Sequence, residues 1–345
     1  MTGVQHLTVT EDEGDQRLDR FLRKRFPNLG QGRIEKMCRK GELRVEGGRV
    51  KAATRLAAGQ SVRVPPLGDL AAPRPAAPRT VDDKAAAEIR KAVLYRDDHV
   101  IALNKPPGLA SQGGSGQHIH LVALAEALKY DRDEAPKLVH RLDRDTSGVI
   151  LLARTGKAAQ ALSKHFQARD AEKIYWAAVA GAPKPRVATI RYGLVKLGGK
   201  GAEKMRCIHP DEVAATDGAK RASTDYAVID AAAQRAAWVA LRPLTGRTHQ
   251  LRAHMAEIGH PIVGDGKYGG NSQTNEGEGW GAQLGGAISR KLHLHARHIS
   301  LAHPADPSRR LSVTAPLPEH MTRTWEVFGW RAADAPADPF EEDAV

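Results

Sequence analysis

His140-Arg141-Leu142-Asp143-Arg144-Asp145-Thr146-Ser147-Gly148 runs directly into Val149-Ile150-Leu151-Leu152-Ala153. Turn-forming residues followed by a short unbroken apolar run predict a loop that feeds a buried strand. Asp143 therefore sits on a loop fixed to a rigid element, a placement that exposes a side chain while holding it still. Three readings fit these residues alone: a catalytic acid, two aspartates that cap and solvate a turn, or a D-x-D box for a hard cation.

Working outward, a second block stands at Pro243-Leu244-Thr245-Gly246-Arg247-Thr248-His249-Gln250-Leu251-Arg252-Ala253-His254-Met255. A turn leads there into a helix with Leu251, Met255 and Ile258 on its buried face and Gly259 at its end. Arg247 falls at the helix start, from which its guanidinium can reach a carboxylate on a neighbouring loop. Lys173 to Val179 alternates as a strand, with Lys173 and Tyr175 on one side and Ile174 and Trp176 on the other. Ala158 to Arg169 reads as a helix with Leu162 and Phe166 inward. Val93-Leu94-Tyr95 and Val100 to Leu103 form a hairpin around Arg96-Asp97-Asp98-His99, and Asn104-Lys105-Pro106-Pro107-Gly108 breaks its second strand.

Taken together these blocks resemble the RluA-type pseudouridine synthases. The resemblance rests on the H-R-L-D-R-D-T-S-G stretch, the N-K-P-x-G block and T-G-R-T-H-Q-L-R, which continues through Gly259 to Asp265 and Tyr268-Gly269. It implies an α+β catalytic domain, a mixed and mainly antiparallel sheet with flanking helices and loops. Asp143 becomes the catalytic nucleophile, Arg247 its ion-pair partner, and Tyr175 the aromatic that stacks on the target base. Arg141 inserts where the flipped base had been, Leu251 packs beside the ring and Lys173 contacts the RNA. Gln112-Gly113-Gly114-Ser115-Gly116 resembles a turn of the family's ribosomal-RNA branch, the RluC and RluD type, so large-subunit ribosomal RNA is the expected substrate. The reaction detaches uracil from C1', rotates it and rejoins it through C5. The carboxylate attacks C1' or removes the 2' hydrogen, and no cofactor is needed. Transfer RNA as substrate, a non-catalytic assembly factor and an Asp143-dependent hydrolase remain as alternatives.

Charge supports an RNA partner. The 345 residues carry 52 Lys and Arg against 40 acids, net +12, the sign expected for binding a polyanion. Between Arg17 and Lys51 stand 12 basic and 4 acidic residues, net +8. Leu18, Phe21 and Leu22, then Ile34, Met37 and Cys38, mark two short helices, and Leu43 to Val50 an alternating strand pair about Gly47-Gly48. With R-L-D-x-x-L at Arg17 to Leu22, a G-x-[LV]-x-V turn at Gly41 to Val45 and a closing G-x-x-V-x-V strand at Gly59 to Val64, this segment resembles the small RNA-binding domain named after ribosomal protein S4. On that resemblance Arg17, Arg20, Arg33, Lys36, Arg39, Lys40, Arg44 and Arg49 line a phosphate-binding face.

The expected division is an N-terminal extension at 1–15, the basic domain at 16–65, a Pro/Ala-rich extended linker at 66–88, the catalytic domain at 89–330 and a disordered acidic tail at 331–345. Residues 271–289 read as a loop. Two distant cysteines suggest neither a redox pair nor a metal knuckle, which fits a cytoplasmic protein. His293, His295, His298 and His303 suggest zinc, but alternation splits such a set and no cysteine or acid completes it, so no metal is expected. The acidic N-terminus resembles no leader, so the mature protein is expected to start near Met1. No apolar run approaches membrane-spanning length, and a monomer is the expected state.

Overall fold

The structure, a computed structural model, describes residues 3–68, 82–113, 119–168, 170–198, 204–269 and 287–341. It divides into two compact units, 1–80 and 81–345.

The first unit holds β1 (Gln5–Thr8), α1 (Leu18–Arg25), α2 (Gln31–Lys40), β2 (Arg44–Val45), β3 (Gly48–Arg49) and β4 (Ser61–Val64). The strands order as β1-β4-β2-β3. Leu18, Phe21 and Leu22 on α1 and Ile34 and Met37 on α2 pack on Leu43, Val62 and Val64, as the helical spacing requires. The expectation of an extension at 1–15 is corrected, because β1 pairs with β4 through Leu7↔Val62 and its neighbours. Val9 is buried. Gln5–Thr8 is too short and too polar to announce a strand, and pairing with β4 supplies what propensity lacks.

The second unit runs through α3 (Asp83–Lys91), β5 (Val93–Arg96), β6 (Val100–Lys105), α4 (Leu121–Leu124), β7 (Lys137–Leu138), β8 (Ser147–Ala153), α5 (Gly156–Ala168) and β9 (Glu172–Ala180). There follow β10 (Val187–Lys196), β11 (Met205–Ile208), β12 (Lys220–Ala232), β13 (Ala236–Pro243), α6 (Gln250–Glu257), β14 (Leu294–Ala302), β15 (Arg310–Thr314) and α7 (Glu319–Phe328). Its strands order as β11-β10-β12-β13-β9-β14-β8-β6-β5, with β15 on β14 and β7 on β8. The sheet is antiparallel except where β14 meets β8. α6 packs Leu251 and Met255 on one sheet face against Val179, Val239 and Leu241. α7 packs Met321 and Trp325 on the other face against Trp176 and Trp238.

All seven residues of β8 are buried. Gly148 opens this strand at φ +108°, and a Cβ there would lie 2.2 Å from the Ala296 carbonyl oxygen, so only glycine lets β14 approach. The histidines of the β14 region are spent on separate ties. His295 bonds Ser147 Oγ, His293 bonds Thr324, His298 bonds Thr314 and His303 bonds Asp97.

Two further boundaries need correction. The linker was expected to extend to 88, but Asp83–Lys91 is helical and buries Ala86 and Ile89; residues 69–81 lie outside the described part. The tail expected to be disordered from 331 is described as far as 341 and packs through Ala335 and Phe340, the latter beneath the Arg242 guanidinium at 4.2 Å. One aromatic anchor outweighs an Ala-, Pro- and acid-rich composition. Most of the 271–289 loop and the Gly114-Ser115-Gly116 part of the glycine-rich turn also lie outside the described residues. No described helix is long and apolar enough to cross a membrane.

Candidate active site

The loop before β8, the start of β9, and the turn leading into α6 enclose a cleft of about 290 Å³. Arg141, Asp143, Lys173, Tyr175, Arg247, His249, Leu251 and Arg252 line it. The two sequence blocks, a hundred residues apart, therefore meet.

Asp143 is held through its neighbours on both sides. The Leu142 N–H donates to Ser111 Oγ at 3.1 Å, and the Ser111 hydroxyl donates back to the Leu142 carbonyl at 2.6 Å. The Arg144 carbonyl accepts from the Lys105 ammonium at 3.0 Å and from the Gly108 N–H at 3.0 Å. Lys105 is fully buried, and its other protons reach the carbonyls of Pro106 at 3.0 Å and Leu109 at 2.9 Å. A buried ammonium needs such partners. Burial lowers Lys105 to about 7, against the opposing pull of the Asp145 and Asp143 charges. His140 steadies the loop from behind, accepting the Leu151 N–H at 2.8 Å and stacking on Phe166. Burial drives that ring down to about 3, so it is neutral.

The pairing expected for Arg247 is corrected. Arg252 faces the acid, with Nη1 3.7 Å from Asp143 Oδ2. Its Nε and Nη2 grip Asp265 in a fork of two 2.7 Å bonds, and Asp265 is buried. Burial opposes the Arg252 charge, yet Asp265 and Asp143 outweigh it and raise the group above its ordinary value. Arg247 stays on the turn, half-buried, with Nε 3.4 Å from the Arg221 carbonyl. Gln250 explains the difference. Its Oε1 accepts from the Thr245 hydroxyl at 2.6 Å and the Arg247 N–H at 3.1 Å. Its amide donates to Ser223 O and Thr224 Oγ1, each at 2.9 Å. This clamp ties the turn to β12, and α6 then carries Arg252 toward Asp143.

His249 brings a second nitrogen to the acid, Nε2 lying 3.8 Å from Asp143 Oδ2. Neither His249 nor Arg252, Lys105, Ser111 or Asp265 was singled out from the sequence, although Arg252 and His249 stand in the same block as Arg247.

Tyr175 lines the cleft beside Leu251. Burial, then the Asp143 charge, pushes its hydroxyl well above the ordinary tyrosine range, so it stays protonated. Arg141 is exposed at the cleft and Lys173 is half-buried. Among the described lining residues Asp143 is the only acid.

In the first unit the basic residues divide. Arg17 is committed to the buried Asp19, through Nε at 3.1 Å and Nη2 at 2.6 Å. Arg44 donates to the Gly41 and Gly47 carbonyls, and Lys40 lies 3.7 Å from Glu42. Arg20, Arg33, Lys36 and Arg39 are exposed.

A family model described as RNA pseudouridylate synthase matches residues 99–257, which include all three elements around the cleft. The chain is 36% identical over 323 residues to ribosomal large subunit pseudouridine synthase C of Vibrio cholerae, covering 93% of this chain and 95% of that protein. It is 34% identical over 322 residues to the protein of the same name from Escherichia coli, with 93% and 95% covered. Among solved structures it is similar to human RNA pseudouridylate synthase domain containing 4, at 27% identity and a TM-score of 0.58 over 72% of this chain and 96% of that one.

Proposed function

The chain belongs to the RNA pseudouridylate synthase family, and on that footing we propose that it isomerises uridines of large-subunit ribosomal RNA, with Asp143 as the catalytic carboxylate. The observation that carries this reading is the lone acid in a cleft otherwise lined by basic, polar and apolar groups. Glycoside hydrolysis uses two carboxylates flanking the bond, whereas isomerisation at C1' asks for one ionised group beside the ribose and a closed space for the base.

A uridine stacked in a helix cannot reach Asp143, so the base is extruded at a cost of a few kcal/mol. Arg141 occupies the space the base leaves, Lys173 contacts the RNA, and Tyr175 and Leu251 flank the ring and exclude water. Arg252, held by Asp265, keeps a cation beside the Asp143 carboxylate. The C1'–N1 bond breaks and the C1'–C5 bond forms; the C5 proton is lost and N1 gains one, so substrate and product are isomers.

The names of the curated relatives support the ribosomal substrate. The exposed Arg20, Arg33, Lys36 and Arg39 support the first unit, read as an S4-like domain, as the part that grips phosphates. Arg17, Lys40 and Arg44 add to its positive potential. We read the protein as a monomer working in the cytoplasm.

Chemical mapping of pseudouridine in ribosomal and transfer RNA from cells with and without the gene tests the reading. A large-subunit site should vanish without the gene and return with the wild-type copy but not with Asp143→Asn. Loss of a transfer RNA site alone, or restoration by the Asn form, contradicts it.

A further inference from the structure

We infer that His249 is a positioning residue for Asp143. In the closed, RNA-bound site its Nε2–H donates to the carboxylate, and Tyr268 selects the imidazole tautomer that makes this possible. The inference rests on the reading of Asp143 as the catalytic carboxylate.

One direction of the hydrogen-bond chain turns a proton, and not a lone pair, toward the carboxylate. The Met205 N–H, which can only donate, reaches the Tyr268 hydroxyl oxygen at 2.8 Å. His249 Nδ1 lies 3.1 Å from the same oxygen. A hydroxyl has one proton to give, and Nδ1 is positioned to accept it. An imidazole whose Nδ1 accepts must carry its proton on Nε2 when neutral, and Nε2 faces Asp143 Oδ2 at 3.8 Å. This is ion-pair range and beyond hydrogen-bond length. A movement of under about 1 Å closes it, as active-site bonds tighten when substrate binds.

Two further features fit. His249 is buried and its backbone lies at φ +51°, a left-handed conformation uncommon outside glycine. That conformation sets the ring between Tyr268 and the acid at the head of α6. The charged groups around the ring are Asp143, Arg252, Lys267 and Asp265. Burial lowers its basicity, Asp143 opposes this, and Arg252 and Lys267 reinforce it, so the ring is neutral at pH 7. A neutral donor beside the Arg252 cation aims the carboxylate without competing for its charge.

The test uses full-length protein and an unmodified large-subunit ribosomal RNA transcript carrying tritium at uridine C5, since pseudouridine formation releases that hydrogen. Release is followed in single turnover with enzyme in excess, and the dissociation constant for the same transcript is measured separately. His249→Ala should slow release about 30-fold or more with the dissociation constant within about threefold. His249→Gln, whose amide places an N–H near the Nε2 position, should recover about tenfold of that loss, and Tyr268→Phe should slow release about three- to tenfold. Thermal melts of each variant separate misfolding from mispositioning, and the glutamine and phenylalanine forms keep the question answerable if alanine unfolds the loop. Release by His249→Ala within threefold of wild type, a loss confined to RNA affinity, or a folded glutamine form no faster than the alanine form overturns the inference. Asp143→Asn in the same series separates the two readings: if it is inactive while His249→Ala is not, only the role of His249 fails. A wild-type rate in Asp143→Asn overturns both.

Discussion

The cleft and the N-terminal basic face both depend on charge, but they use it in opposite ways. Around Asp143 the buried charges are placed by named partners: Lys105 by three carbonyls, and Arg252 by Asp265 in a two-bond fork. On α1 and α2 the cations Arg20, Arg33, Lys36 and Arg39 stand exposed, and no described carboxylate is paired with them. A buried charge is expensive without its partner, so the cleft should respond to single substitutions. An exposed one interacts through a screened field, so the basic face should respond only to the removal of several.

The largest effect should come from Arg252→Ala. It strands the buried Asp265 carboxylate and takes the nearest cation from Asp143. A loss of about 3–5 kcal/mol in unfolding free energy is expected by urea denaturation, with tritium release slowed on the order of 100-fold or more. Arg252→Lys keeps the charge without the fork and should fall between. Wild-type stability in the alanine form would break the contrast.

Lys105→Met should cost about 2–3 kcal/mol by leaving buried carbonyls unpaired, and it carries a pH signature. The folded group titrates near 7, below the unfolded value of about 10.4. Between those values the unfolded chain binds more protons, so wild-type stability should rise with pH by at most about 1.4 kcal/mol per unit. Urea midpoints at pH 7 and 9 should show this rise in wild type and lose it in the methionine form. Parallel behaviour of the two would contradict the burial of this ammonium.

On the basic face, changing Arg20, Arg33, Lys36 and Arg39 together to Gln should leave the melting temperature unchanged. It should weaken RNA binding roughly 10- to 100-fold, and the slope of log affinity against log salt should fall by about three. An unchanged slope would remove this face from the RNA contact. The smallest effect belongs to Arg247→Ala. Its side chain reaches the Arg221 carbonyl only through a long bond, and a stability change within about 0.5 kcal/mol is expected. A loss as large as that of Arg252→Ala would restore the pairing first expected from the sequence.

How much was legible follows the same division. The strand of β8, the helix of α6 and the opposed faces of Tyr175 and Trp176 followed from local periodicity, which depends on the chain immediately around each residue. The two helices of the first unit followed from apolar spacing and their charge from composition. Which arginine meets Asp143 did not, because Arg247 and Arg252 share one motif. The choice is made by Gln250 tying the turn to Ser223 and Thr224, residues distant in sequence. Strand β1 and the packed tail were missed for a related reason. Gln5–Thr8 and Phe340 gain their order from partners elsewhere, Val62 and Arg242, and no local pattern reports a partner.

The central claim is that the Asp143 carboxylate carries the chemistry. The most direct measurement is single-turnover tritium release from C5-labelled large-subunit ribosomal RNA by Asp143→Asn, a change that keeps size and removes only the charge. The prediction is a rate lowered at least about 10⁴-fold with RNA affinity within about threefold of wild type. Release within tenfold of wild type would contradict it.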